Sequence, residues 1–218
     1  MRRLLVLALI TTACARPPAR VAGPTRILVL GDSVAHGAGD ESGRGLAADI
    51  DRELARLGIA HDAVIDAAIN GSRTWQLASA VVQPRVRELV ARADAIVVSI
   101  GGNDLYGDSR ARMLSMLAPQ LRMDVVVDRI TSIVHTLERR SRARVVLLGL
   151  YDPYGHKLDP YVSLWSAKLF DRFARDPRVT VVTIADLFSA RSRLSPVDHF
   201  HPGGMAYEAI ARRVVEAL

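Results

Sequence analysis

Two hydrophobic rhythms alternate along the chain. Short runs that are almost wholly apolar lie at Arg26 to Leu30, Ala63 to Ile65, Ala95 to Ile100, Arg144 to Leu150 and Val179 to Ile184. Unbroken aliphatic runs of this length, ended by glycine or polar turns, predict buried strands. Between them the apolar positions recur every three or four residues. Leu46, Ile50, Leu54 and Leu57 mark a helix closed by Gly58. Thr74 is placed to cap a helix from about Trp75, and a further helical piece runs from Pro84 to about Ala91. Val126, Ile130, Ile133, Val134 and Leu137 trace a long amphipathic helix. Leu164 to Ala174 predicts another, and Ala206, Ile210 and Val214 mark a last one opening near Gly203 or Gly204.

Strands alternating with helices predict an α/β domain with a mostly parallel five-stranded sheet covered on both faces. In such sheets, ligands bind beyond the carboxyl ends of the strands. The loops after the predicted strands hold Ser33, Gly71, Asn103 and the segment Asp198 to His201. Leu105 to Met123 breaks the rhythm and reads as a loop with a short helix, a candidate for covering the site. Ala185 to Pro196 reads as an irregular connection.

Composition narrows the picture. The 218 residues suit one α/β domain, and scarce aromatics leave the core to Val, Leu, Ile and Ala. The net charge of +6 comes from an excess of Arg that looks scattered along helix faces. No basic run is interleaved with aromatics, so nucleic acid is not an expected partner. The N-terminus reads as a targeting segment. Met1-Arg2-Arg3 is a positive start, Leu4 to Ile10 is apolar, and Thr11 to Ala15 offers a cleavage site. Residues 1–15 are therefore expected to export the protein, to the periplasm, the medium or a membrane anchor. Cleavage before Cys14 would leave a lipid-carrying cysteine and membrane attachment; cleavage after Ala15 would discard it. Cys14 is the sole cysteine, so an internal disulfide is excluded. Residues 16–24 read as a flexible tether, and 25–218 as the domain.

Chemistry enters at Gly31-Asp32-Ser33, where the first strand meets a turn. A serine becomes a nucleophile when a base takes its proton. Among six histidines, His201 is the best base, because Asp198 stands three residues before it. One tight turn would let that carboxylate reach Nδ1 and orient the ring. His199 lacks such a partner, and His36 need not face Ser33 from an adjacent turn. His61, His135 and His156 read as surface positions. The backbone N–H groups of Ser33 and Gly71 and the Asn103 amide are candidate oxyanion donors. Asp32 is expected to shape the turn.

In order and spacing these blocks resemble the SGNH/GDSL hydrolases. Gly31-Asp32-Ser33 resembles the first block, Gly71 the second-block glycine, Gly101-Gly102-Asn103-Asp104 the third, and Asp198-His199-Phe200-His201-Pro202 the fifth. The resemblance, closest to exported bacterial GDSL-type lipase and lysophospholipase-like proteins, covers the chain after the tether. It implies a flavodoxin-like three-layer α/β/α sandwich. It also implies serine esterase chemistry on a small-molecule or lipid acyl ester, with no metal and no cofactor. Catalysis would rest on Ser33, Asp198 and His201, with Ser33, Gly71 and Asn103 holding the oxyanion. Carbohydrate O-acetylesterases and acyltransferases use the same parts. A catalytically silent exported binding protein on this fold is the reading of another class. A metal at Asp198, His199 and His201 is disfavoured, since adjacent side chains on an extended segment point apart. Gly37-Ala38-Gly39 fails the dinucleotide pattern at Ser42, and Ala35 stands where the α/β-hydrolase elbow needs glycine.

Overall fold

The computed structural model describes residues 21–22, 26–107, 119–189 and 193–218. Its main sheet has five strands: β2 (Arg26–Gly31), β4 (Ala63–Asp66), β5 (Ala95–Ser99), β6 (Arg144–Leu148) and β7 (Val179–Val182). Their spatial order is β4-β2-β5-β6-β7, and every pairing is parallel. The order of crossovers reverses between β2 and β5. This is the flavodoxin-like order, and the crevice at that reversal is where such sheets bind ligands. A small parallel pair joins β1 (Val21–Ala22) to β3 (Ile59–Ala60). Val21 and Ala22 belong to the stretch read as a tether, and here they are paired. The signal segment and Cys14 lie outside the described residues.

The strands alternate their side chains between two cores. Leu28, Leu30, Ile96, Val98, Val145 and Leu147 face α3 (Thr74–Ala80), α4 (Pro84–Arg92), α6 (Pro119–Glu138) and α7 (Asp159–Phe173). Ile27, Val29, Ala95, Val97, Val146 and Leu148 face α2 (Gly45–Arg56) and α8 (Gly204–Ala217). Both faces are dry, which is why the strands carry no polar alternation. Each buried Val, Leu or Ile contributes about 1.5–3 kcal/mol against exposure.

Several boundaries move from their expected places. The strands β5, β6 and β7 stop at Ser99, Leu148 and Val182, short of Ile100, Leu150 and Ile184. Their last apolar residues leave the strand ladder for the loops, where Ile100 and Ile184 stay buried in the cores. The helices α6 and α7 start at Pro119 and Asp159, well before their apolar stripes. In both, proline stands in the first turn, where its missing N–H costs nothing. Leu57 is the C-cap of α2 and is exposed, with Gly58 beyond it at φ +69°. Thr74 does not cap α3; Arg73 is the N-cap and Thr74 the first helical residue. The connection after β7 contains a 3₁₀ turn at Ala185–Phe188. Of the segment Leu105 to Met123 read as a cover for the site, the first two residues end α5 (Gly102–Tyr106), Pro119 to Met123 open α6, and residues 108–118 lie outside the described residues.

Candidate active site

Gly31 ends β2 at φ +133°, beside Ser99. A Cβ there would stand 1.8 Å from the Ser99 carbonyl oxygen, so only glycine permits this approach. The Asp32 N–H then donates to the same oxygen at 2.9 Å. The chain turns into α1 (Ser33–His36), a single turn whose N-cap is Asp32. Asp32 Oδ1 accepts the Val34 N–H at 3.1 Å, as the expectation that it shapes the turn requires. Burial pushes its carboxyl up to about 7, against the hydrogen bonds from Val34, Ala35 and Ser99 that favour the charged form. Ser33 is thus the first helical residue, presented at the carboxyl end of a central strand.

The second part of the site comes from the C-terminal segment. Ser195 N–H donates to the His201 carbonyl at 2.8 Å and Leu194 bridges Pro202, closing residues 195–201 into a loop. Inside it, Asp198 Oδ1 accepts the N–H groups of Phe200 and His201, both at 2.9 Å. Asp198 Oδ2 meets His201 Nδ1 at 2.6 Å. Desolvation would raise the Asp198 carboxyl, but the bonds from His201 and from the two backbone N–H groups outweigh it and hold it below the usual range. His201 Nε2 lies 3.0 Å from Ser33 Oγ. Ser33, His201 and Asp198 therefore form one hydrogen-bonded chain across 168 residues of sequence separation.

The other predicted residues converge on the same place. Gly71 adopts φ +76°, the left-handed region its turn needs. Asn103, in α5, donates through Nδ2 to the Ser72 carbonyl at 3.1 Å, which points its amide along the Gly71 loop. Ser33, Gly71, Asn103 and His201 line one cavity of about 410 Å³. Neither the Ser33 nor the Gly71 N–H is taken up by a carbonyl among the described residues.

The remaining histidines are accounted for elsewhere. His36 Nδ1 meets Asp66 at 2.7 Å, His61 Nε2 meets Asp51 at 2.8 Å, and His156 Nδ1 meets Asp159 at 2.7 Å. His135 and His199 are exposed, His199 at φ +54°.

Sequence reasoning missed three sets of residues. Asp104 is buried, and its carboxylate accepts the Thr74 N–H at 2.8 Å and hydroxyl at 2.6 Å. It pins the Asn103 turn to the start of α3. A carboxylate directly after Asn103 was the signal, hidden because Asn-Asp is ordinary turn chemistry. The loop after Ser33 is the second set. Asp40 accepts from Ser42, Arg44 and Gly45, and Glu41 accepts the Gly204 N–H at the start of α8 at 2.9 Å. Tyr207 donates its hydroxyl to the Ala38 carbonyl at 2.7 Å. The third set is the cavity wall: Tyr106, Leu150, Tyr151, Pro153, Tyr154 and Leu158, with Phe200 edge-on to His201. Burial pushes the Tyr106 hydroxyl up to about 12. Tyr106 ends α5, and the others come from the loops after β6 and before α8, whose place around one cavity no sequence window shows.

The geometry can be set beside known proteins. A model of the GDSL-like lipase/acylhydrolase family matches residues 29–209. The uncharacterized protein YpmR of Bacillus subtilis is 27% identical in an alignment 216 positions long that takes in 88% of this chain and 80% of that protein. The lipase Lip_vut3 from a goat rumen metagenome superposes with a TM-score of 0.76 at 21% identity, over 88% of this chain and 96% of that one. A family 3 carbohydrate esterase of Clostridium thermocellum superposes with a TM-score of 0.62 at 18% identity, over 88% and 94%. The family match spans nearly all of the described domain, from β2 into α8, and so contains every residue of the site; the chain belongs to the GDSL-like lipase/acylhydrolase family of hydrolases.

Proposed function

We propose that the protein is a serine esterase that cleaves carboxylic esters with acyl chains longer than acetyl, in the manner of a lipase or lysophospholipase. The observation that carries this reading is the Ser33–His201–Asp198 chain opening into an apolar cavity. His201 Nε2 takes the Ser33 Oγ proton as the oxygen attacks the ester carbonyl. The Asp198 carboxylate stabilises the imidazolium that forms and fixes its orientation. The Ser33 and Gly71 N–H groups and the Asn103 amide receive the developing oxyanion. The tetrahedral intermediate collapses, His201 protonates the departing alcohol, and an acyl-Ser33 ester remains. Water, deprotonated by His201, attacks that ester and releases the acid. The N-terminal segment supports export, with Cys14 the point of lipid attachment if cleavage precedes it.

Turnover of p-nitrophenyl esters of graded acyl length tests the reading, followed by lysophospholipid and acetylated xylo-oligosaccharide. The expected optimum lies beyond acetyl. Ser33→Ala and His201→Ala are expected to lower kcat by about 10⁵ or more, and Asp198→Ala by less. Asn103→Ala is expected to lose about 10²–10³ in kcat with little change in KM. Acetyl esters alone being turned over would replace this reading with an O-acetylesterase, as the superposition on a carbohydrate esterase would then suggest. A Ser33→Ala protein with undiminished turnover would remove the mechanism.

A further inference from the structure

The arginines look scattered in the sequence, but the fold sorts them. The carboxyl ends of the strands carry the site. At the amino ends lie the connections into β5, β6 and β7, and there Arg92, Arg139, Arg140, Arg142, Arg144 and Arg175 gather. These connections touch one another. Ser141 Oγ donates to the Ala93 carbonyl at 3.0 Å, and the Arg178 guanidinium donates to the Ser141 carbonyl at 3.2 Å. Residues 91–94 and 138–142 line one open depression.

Several arginines elsewhere are held by carboxylates, although Arg85, Arg87 and Arg212 are exposed and make no ion pair with any of the described residues; what marks the pole is the number gathered there. Arg44, Arg56, Arg172 and Arg213 each meet a carboxylate, on Asp49, Glu53, Asp128 and Asp186. At the amino pole, Arg139 donates to the Thr136 hydroxyl, Arg140 to the Val81 carbonyl and Arg144 to the Leu218 oxygen. Arg92, Arg142 and Arg175 are exposed and make no ion pair with any of the described residues. Arg178 is the exception, matched by Glu138 at 2.8 Å. Asp94 and Glu138 line the same depression and offset part of this charge, but the arginines outnumber them, so the pole keeps an excess of positive charge.

We propose that this pole docks on an anionic phospholipid bilayer. Guanidinium groups match phosphate geometry, and each one near an anionic surface strengthens binding about fivefold. No aromatic side chain lines the depression, so it lacks the stacking platform that single-stranded nucleic acid uses. The position of the chain's entry supports a membrane as the occupant. Arg26 opens β2 at this pole, its N–H on the Asp94 carboxylate at 2.9 Å, and Val21–Ala22 before it pair with β3. A lipid on Cys14, ahead of this entry in the chain, would add a second signal to the basic face.

The orientation has a consequence for the proposed esterase activity, and this step rests on that reading. The site lies at the far end of strands that rise about 3.3 Å per residue. A bilayer against the arginine pole leaves Ser33 roughly 15–20 Å or more above the lipid phosphates, open to the aqueous side. The substrate class that fits is a monomeric ester arriving from solution, rather than one drawn from the bilayer beneath.

The test uses the full chain carrying Cys14→Ala, so that no lipid anchors it. Sedimentation with vesicles of phosphatidylcholine, with and without about 30 mol % phosphatidylglycerol, reads the binding. Binding is expected only with phosphatidylglycerol, and is expected to vanish at about 0.5 M salt. Replacing Arg92, Arg139, Arg142 and Arg175 together by Glu should weaken it at least about a hundredfold, with solution turnover of p-nitrophenyl butyrate unchanged. The same four positions changed to Gln control for folding and should give a smaller loss. Wild-type protein that ignores phosphatidylglycerol, variants that bind like wild type, or binding to duplex DNA without vesicle binding would overturn the proposal. Failure of wild-type ester turnover would count against the esterase reading alone, since vesicle binding is read separately.

Discussion

The two halves of the site are held in opposite ways. Ser33 is fixed from within the sheet. Its turn leans on Gly31 packed against Ser99, on the buried Asp32 cap, and on an N–H bond into the central strand β5. Asp198 and His201 sit on a surface loop, with Asp198 exposed and His201 half-buried. That loop is held by groups reaching to its flanks from other elements: Glu41 on Gly204, Tyr207 on Ala38, and the Tyr151 hydroxyl on the Phe200 carbonyl at 2.9 Å. The position of Ser33 is a property of the core. The position of His201 depends on clamps that can be loosened without unfolding anything. Changes on the Ser33 side should therefore appear first as stability, and changes on the His201 side first as kcat.

The largest effect is expected at Gly31. Gly31→Ala puts a methyl group into the Ser99 carbonyl and demands a positive φ from alanine, so it should cost about 4–5 kcal/mol or more. Soluble yield and urea unfolding measure it; a folded, active variant would show that the strand end tolerates movement.

Asp32 comes next and carries a pH signature. Its carboxyl stands near 7 in the folded protein against 3.8 as the ordinary value, because burial disfavours the charge. Between about pH 4 and pH 7 the folded state keeps a proton that the unfolded chain releases, so stability falls as pH rises through that window. Asp32→Asn keeps an oxygen for the cap and removes the penalty. Thermal melts should show the variant more stable by about 2–4 kcal/mol at pH 8 and equal to wild type near pH 4. A variant less stable at pH 8 would mean the charge itself holds the turn.

On the other side, Glu41→Ala removes the acceptor at the start of α8, next to the His201 loop. It should cost about 1–2 kcal/mol, yet lower kcat about tenfold with little change in KM. Tyr207→Phe deletes one hydroxyl bond to Ala38 and should cost about 1 kcal/mol or less, with a two- to threefold loss of kcat. Either variant unfolding before its turnover falls would erase the contrast between the two halves.

Much of this molecule could be read in the chain because its signals are local. Unbroken aliphatic runs can be strands in a doubly covered sheet, and the glycines where β2 and β5 end mark the turns that hold Ser33 and Asn103. Asp198 and His201 lie three residues apart, so one turn defines their contact. What stayed hidden is non-local. Asp104 looked like a turn residue until Thr74 was brought to it from 30 residues away. Glu41 finds Gly204 across 163 residues. The arginine pole gathers side chains from separate connections, and no sequence window contains it. Pro119 and Pro160 were the legible starts of α6 and α7, outweighed by apolar stripes that begin later.

The claim that Ser33 is a nucleophile activated by His201 is tested most directly by covalent labelling. Incubation with a fluorophosphonate, followed by intact and peptide mass measurement, follows one adduct per chain. The adduct is expected on Ser33, with a labelling rate in His201→Ala below about 1% of wild type. No adduct at Ser33, or an equal rate without His201, would contradict it.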